Sequence, residues 1–292
     1  MTYWIPRRQA RLLLGFVGLA FLAPSPSRAG LPLDRDGGPK LSARAVLVLD
    51  VKTGKPVLAR NATDVRSIAS LTKVMAALVF IDRGLKLDQG TVINRDDWKV
   101  ALEGCRTRLE LNWTYRNRDL LRAALMSSDN RAVSALGRAV GLHPNGLVQA
   151  MNERAGRMGL KKTEFRGPVG IDTGNVSSAW EMSRIVRAAS KVKVLSEVMA
   201  SKEYQVVPLK GYLKHWYRNT NPLVGTLKDA SFHASKTGFN NKAGYCLASV
   251  AQIKGRGVYT IVILGSRRKI DRVRDLRRII RWVQSGARQK SS

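Results

Sequence analysis

Ser70 and Lys73 stand three residues apart in Ser70-Leu71-Thr72-Lys73. On a helix this spacing puts both side chains on one face, within reach of each other. A helix N-terminus adds unpaired N–H groups that favour negative charge. A hydroxyl and an amine so placed can serve as nucleophile and base if the amine is neutral when it takes the proton. Burial and a second nearby cation both favour that state. The same tetrapeptide also fits an N-cap serine beside a solvated lysine. Ser128-Asp129-Asn130 brings a hydroxyl that can relay a proton and an amide that can hold a peptide backbone. That triplet also suits a helix cap. Lys236-Thr237-Gly238 ends a β-rich run, where an extended peptide can pair along a strand edge. There the lysine offers a cation to a carboxylate, the threonine a hydroxyl, and the glycine close backbone approach. Its alternative is a turn with a surface lysine. The three segments together, in this order, are a much stronger signal of chemistry than any one of them alone.

These residues need elements to hold them. Ala43 to Asp50 is a dense aliphatic run, Thr53-Gly54-Lys55 reads as a turn, and Pro56 to Ala59 as a returning strand, which makes a hairpin. Leu71, Met75, Leu78, Val79 and Ile81 predict a helix over 70–83. Helices over 119–126 and 131–140 flank the polar break that carries Ser128 and Asn130, and further helices are expected at 147–159, 178–190 and 194–201. Strand character returns at 232–237, 245–252 and 258–264. A last helix over 270–283 has the apolar stripe Ile270, Val273, Leu276, Ile280 and Val283. Its arginines, Arg272, Arg274, Arg277, Arg278 and Arg281, are expected on a solvated face, with contact to anionic lipid as the alternative. The N-terminal hairpin must pair with something, and the C-terminal strands are available. The expected fold is therefore α/β of the α+β type: an antiparallel sheet joined from both ends of the chain, flanked by helices, with a helical lobe inserted between.

The chain has 292 residues, enough to bury a core without a disulfide or a metal. Arg7, Arg8 and Arg11 precede an apolar run from Leu12 to Ala23, and Ser27-Arg28-Ala29 follows. This pattern reads as a secretory signal peptide over 1–29, its apolar run too short to span a bilayer comfortably, with an uncleaved anchor as the alternative. Residues 30–42 read as a linker, 43–285 as one catalytic domain and 286–292 as a basic tail. With 51 Lys+Arg against 21 Asp+Glu, the net charge is +30. Such a surface favours anionic surroundings. For a chain exported to the periplasm, these would be wall polymer or acidic lipid rather than nucleic acid. Cys105 and Cys246 can pair in an oxidising compartment or stay separate as buried thiols. His143, His215 and His233 are scattered, so no metal, cofactor or histidine triad is expected.

The three motifs together resemble the signature shared by class A β-lactamases and penicillin-binding proteins. Over about 43–283 the chain is similar to low-molecular-mass penicillin-binding proteins of the D-alanyl-D-alanine carboxypeptidase/endopeptidase family. The resemblance includes Ile68-Ala69-Ser70-Leu71-Thr72-Lys73, the stretch Gly159-Leu160 to Gly170 followed by Asn175 and Ser178-Ala179, and Lys236-Thr237-Gly238-Phe239 running on to Ala243-Gly244-Tyr245-Cys246-Leu247. It implies a β-lactamase/transpeptidase-like fold and action on peptidoglycan stem peptides and cross-links, with β-lactams as covalent inhibitors. It implies Ser70 as the acylated nucleophile, Lys73 as its base, Ser128 and Asn130 as proton relay and substrate holder, and Lys236 as electrostatic support. Thr237 would meet the terminal carboxylate, and the N–H groups of Ser70 and Phe239, beside Gly238, would form the oxyanion hole. The larger carboxypeptidases of this family carry an extra β-rich domain and a membrane anchor. This chain resembles instead the endopeptidase branch, of the penicillin-binding protein 7/8 type, with carboxypeptidase action as the alternative. A β-lactamase needs a glutamate loop, E-x-x-L-N, which is not found between Asn130 and Lys236. A non-enzymatic wall-binding protein would not need all three motifs.

Overall fold

The computed structural model describes residues 1–2, 31–35, 37–100 and 107–286. The fold belongs to the unit Leu31–Ser292. Almost all of the proposed signal peptide, the basic tail after Gly286, and Cys105 lie outside the described residues. The chain begins with the hairpin β1 (Ala45–Asp50) and β2 (Pro56–Arg60), then β3 (Arg66–Ser67), a 3-10 turn (Ala69–Leu71) and α1 (Thr72–Asp82). The helical lobe holds β4 (Gly90–Val92), α2 (Arg95–Val100), β5 (Thr114–Arg116), α3 (Asn117–Met126), α4 (Asn130–Ala139) and α5 (Pro144–Arg157). After β6 (Val176–Ser177) come α6 (Ala179–Ser190), α7 (Lys193–Ala200), β7 (Glu203–Val206) and β8 (His215–Arg218). The chain closes with β9 (Ala230–Asn240), β10 (Gly244–Ile253), β11 (Gly257–Ser266) and α8 (Lys269–Gln284).

The main sheet is antiparallel in the order β2-β1-β11-β10-β9. The chain's two ends meet where β1 pairs with β11, Leu47 opposite Val262. Strand periodicity divides the core in two. Leu47, Leu49, Val262 and Leu264 pack with α1, α3, α4 and α6. Val46, Val48, Ile261 and Ile263 pack with Leu276, Ile279, Ile280, Trp282 and Val283 of α8. Both faces are therefore apolar, which is why β1 reads as a continuous aliphatic run rather than an alternation.

Two elements differ from their sequence patterns. Helix α1 is buried on all sides from Thr72 to Phe80, not along one stripe. A helix that is apolar all round belongs in the middle of a core, and α1 sits between the sheet-side helix α6 and the lobe helices α3, α4 and α5. In α8 the stripe runs through Ile279 and Trp282, while Ile270, in the first turn, is exposed. Arg272 is not on a solvated face either. It is 4% exposed and tucked against the sheet.

The described residues of the 30–42 segment, which reads as linker from composition, are tied with Ala43 to α8. The Asp275 carboxylate accepts from the backbone N–H groups of Ser42 and Ala43 and from the hydroxyls of Ser42 and Ser266. Trp282 Nε1 donates to Gly37 O, and Arg278 to Lys40 O. Among the described residues, no helix is long and apolar enough to cross a membrane.

Candidate active site

Three parts of the fold meet at one cleft: the turn before α1, the loop between α3 and α4, and the sheet edge β9. Ser70 lies in the 3-10 turn just ahead of α1. Lys73 follows in the helix's first turn, and its Nζ donates to Ser70 Oγ at 3.0 Å and to Val169 O at 2.6 Å. Both residues are buried, Lys73 to 1% exposure. Ala69, just before the nucleophile candidate, has φ +48, a left-handed conformation uncommon for a residue with a Cβ.

That turn is held from behind. Thr72 Oγ1 donates to Ala69 O and accepts from Asn175 Nδ2 at 2.9 Å. Asn175 is fully buried, donates also to Gly167 O, and accepts from the N–H groups of Arg166 and Gly167. A single amide thus locks the 166–175 loop onto the turn that carries Ser70. Gly170 in this loop has φ +86, and a Cβ there would lie 2.1 Å from Ala69 O. Only glycine fits against the turn at this point.

Ser128 also has a left-handed φ, +66, and closes α3 before Asp129 caps α4. Asp129 accepts from Ala132 N at the start of α4 and from Arg108 N. Burial pushes its carboxyl up from the ordinary value, against the hydrogen bonds from Thr107, Ala132 and Arg108. Lys236 reaches from β9, and its Nζ donates to Ser128 Oγ at 3.0 Å and to Thr237 O at 2.7 Å. The structure therefore brings two buried lysine–serine pairs together, Lys73 with Ser70 and Lys236 with Ser128.

The sheet edge completes the cleft. Thr237 Oγ1 donates to Thr220 Oγ1 at 2.7 Å. At Gly238 a Cβ would lie 2.8 Å from Ile68 O and 3.2 Å from Ser70 N, so the missing side chain lets β9 lie against the turn that carries Ser70. Phe239 is half exposed and stacks on Tyr245 with ring centroids 4.3 Å apart. Behind it Arg272 Nη1 donates to Gly238 O and Cys246 O, tying α8 to β9 and β10. Burial lowers the pKa of the Arg272 guanidinium. Burial also raises the Cys246 thiol to about 11, which leaves it protonated and inert.

Ser70, Ser128, Asn130, Thr237, Gly238 and Phe239 all line one cleft of about 560 Å³. Lys73 and Lys236 sit beneath its floor through their bonds to Ser70 and Ser128. The cleft also draws on Thr220, Lys269 and Arg272, which no motif marked. Their only sequence signal is a polar residue near the end of a strand or at a helix start. Gly170 and Asn175 stood out only within the family-like stretch. Among the described residues, no group of three His, Cys, Asp or Glu side chains could hold a metal.

Comparison with known proteins places this geometry. The profile of the D-alanyl-D-alanine carboxypeptidase family matches residues 34–267. A D-alanyl-D-alanine endopeptidase of Pseudomonas aeruginosa is 34% identical over 270 residues, 92% of this chain and 85% of its own length. One from Escherichia coli is 29% identical, over 85% of this chain and 79% of its own. The D-alanyl-D-alanine carboxypeptidase DacF of Bacillus subtilis is 26% identical over 89% of this chain and 66% of its own length. The crystal structure of a Streptomyces DD-transpeptidase superposes with a TM-score of 0.77 at 25% identity, covering 85% of this chain and 99% of its own. The antiparallel sheet with its inserted helical lobe is the fold shared with that structure, and the chain belongs to the D-alanyl-D-alanine carboxypeptidase family of serine peptidases.

Proposed function

We propose that this protein is an exported cell-wall peptidase that cuts D-alanine-containing peptidoglycan cross-links through an acyl-enzyme on Ser70. The observation that carries the reading is the buried Lys73 Nζ, 3.0 Å from Ser70 Oγ at the head of α1. In this mechanism Lys73 takes the hydroxyl proton as Oγ attacks the carbonyl carbon of D-alanine. The carbonyl electron pair moves onto oxygen, which the N–H groups of Ser70 and Phe239 stabilise. Collapse breaks the C–N bond, and the proton held by Lys73 returns through the Ser128 hydroxyl to the leaving amine. Water then cleaves the Ser70 ester with the same groups as base and relay. Lys236 supports the developing charge, Asn130 holds the substrate backbone, and Thr237 meets the carboxylate beside the scissile bond.

Cross-link cleavage is favoured because the relatives from Pseudomonas aeruginosa, Escherichia coli and Haemophilus influenzae are all D-alanyl-D-alanine endopeptidases. The second reading, a carboxypeptidase that trims pentapeptides, draws support from relatives such as DacF. Export is supported by the basic and apolar segments before Ala29. The large positive charge supports electrostatic association with an anionic wall or membrane surface.

A β-lactam presents the same acyl group to the same serine. Incubation with penicillin should place a covalent adduct on the Ser70 peptide in mass spectrometry. An adduct on another residue, or none at saturating drug, would falsify the mechanism.

A further inference from the structure

The cleft at Ser70 continues past the strand edge. Thr220, which accepts the Thr237 hydroxyl, and Lys269 line not only that cleft but also a second groove of about 990 Å³. This groove is also lined by Trp216 and Arg218 of β8 and by Arg108 and Glu203. We infer that the groove receives the leaving branch of a cross-linked substrate, an anionic peptide that extends beyond the scissile bond.

Position gives the first argument. Thr237 meets the carboxylate next to the scissile bond on the leaving side, so a chain continuing from that residue passes over Thr220 into the groove. A pentapeptide's leaving group is a single D-alanine and ends at Thr237; a cross-link's leaving group does not. A cavity of a few hundred Å³ or more is enough for a peptide arm. Charge gives the second argument. Three cations, Arg108, Arg218 and Lys269, line the groove with one acid, Glu203, whose carboxylate lies 3.5 Å from Arg218. Peptide carboxylates are the complement of such a wall. The third argument is Trp216. It is 54% exposed although its neighbour Tyr217 is buried, and its backbone carbonyl is fixed by Arg108 Nη1. A large ring held open on a braced strand is a surface for an extended ligand to pack on. The groove is also joined to the catalytic loop, since Ser127 Oγ donates to Arg218 O at 2.9 Å.

The inference rests on the cross-link reading, and the test separates the two. The double variant Trp216→Ala/Arg218→Glu is assayed on purified cross-linked muropeptide dimers, on a small soluble D-alanyl-D-alanine peptide, and for penicillin acylation. The expected result is a fall of about tenfold or more in kcat/KM for the dimer, as for loss of an interface anchor. Acylation and small-peptide turnover should stay within about twofold of wild type. Unchanged dimer cleavage would overturn the groove while leaving the cross-link reading standing. A wild type that trims pentapeptides but leaves dimers intact would remove the reading, and the groove's occupant with it. If the double variant loses all activities, Arg218→Ala decides, because that side chain is 83% exposed and its loss spares the fold. Equal loss of dimer cleavage and acylation in Arg218→Ala also overturns the proposal.

Discussion

Lys73 is an amine at 1% exposure in a helix whose residues are all buried as far as Phe80. Its Nζ donates to Ser70 Oγ and to Val169 O, which places the amine against the hydroxyl whose proton a base would take. Lys73→Ala should slow penicillin acylation by about 10²–10⁴-fold, the usual contribution of a positioned base. The variant should still fold, with a thermal midpoint lowered by loss of the hydrogen bonds to Ser70 Oγ and Val169 O. A folded Lys73→Ala protein that acylates at the wild-type rate would remove Lys73 from the base role. The Ser70–Lys73 pair was legible because both residues lie on one helical turn. The Lys236–Ser128 bond spans 108 positions, and only the fold brings it together. The carbonyl of Val169 and the close approach of Gly170 left no trace in composition or periodicity, since a backbone contact has no residue type of its own.

The elements carry unequal signals. The hairpin, the long C-terminal strands and most helices follow from runs of apolar residues with the right period. The two-residue strands β3 and β6 and the short pairs β4–β5 and β7–β8 do not, because two to four residues are too few to show any period. Helix α8 was found but phased wrongly at its start: Ile270 is exposed while Arg272, one turn into the helix, is drawn inward by carbonyls of β9 and β10. The start of α4 shows what a cap can do for a site. Asp129 holds the helix N-terminus and the 107–108 segment together, and so fixes the left-handed Ser128 next to it. Its carboxyl is raised by burial above the ordinary value of 3.8. A carboxyl with a folded pKa above its unfolded value holds its proton more tightly in the native state. Its contribution is most favourable below the unfolded value and declines as pH rises through the raised folded one. Asp129→Asn cannot titrate. Urea midpoints measured across pH should therefore decline less for Asp129→Asn than for wild type as pH rises above about 4. Parallel profiles would show that the fold does not disfavour the ionised carboxylate.

At the scale of the whole molecule, charge exceeds what the site can use. Lys73, Lys236, Lys269 and Arg272 at the cleft and Arg108 and Arg218 at the groove account for six cations, yet the chain carries 51 Lys+Arg against 21 Asp+Glu. Loss of the segment up to Ala29 would remove Arg7, Arg8, Arg11 and Arg28 and no acid, leaving the rest strongly basic. Many of the ion pairs that form are exposed, such as Lys99–Asp96 and Arg166–Glu164, and such pairs contribute little to stability. On the proposed reading, the surplus serves as a long-range attraction toward an anionic polymer that also holds the substrate. Exposed charges are largely screened beyond a Debye length of about 10 Å at 0.1 M salt. The cleft's own bonds, buried between Lys73 and Ser70 and between Lys236 and Ser128, are screened much less. Binding of the protein lacking residues 1–29 to isolated wall sacculi, measured by sedimentation, should therefore weaken steeply as salt is raised. Turnover of a small soluble D-alanyl-D-alanine peptide over the same salt series should change little. Sacculus binding that is indifferent to salt would exclude charge as the attraction and point instead to a specific contact with glycan or peptide.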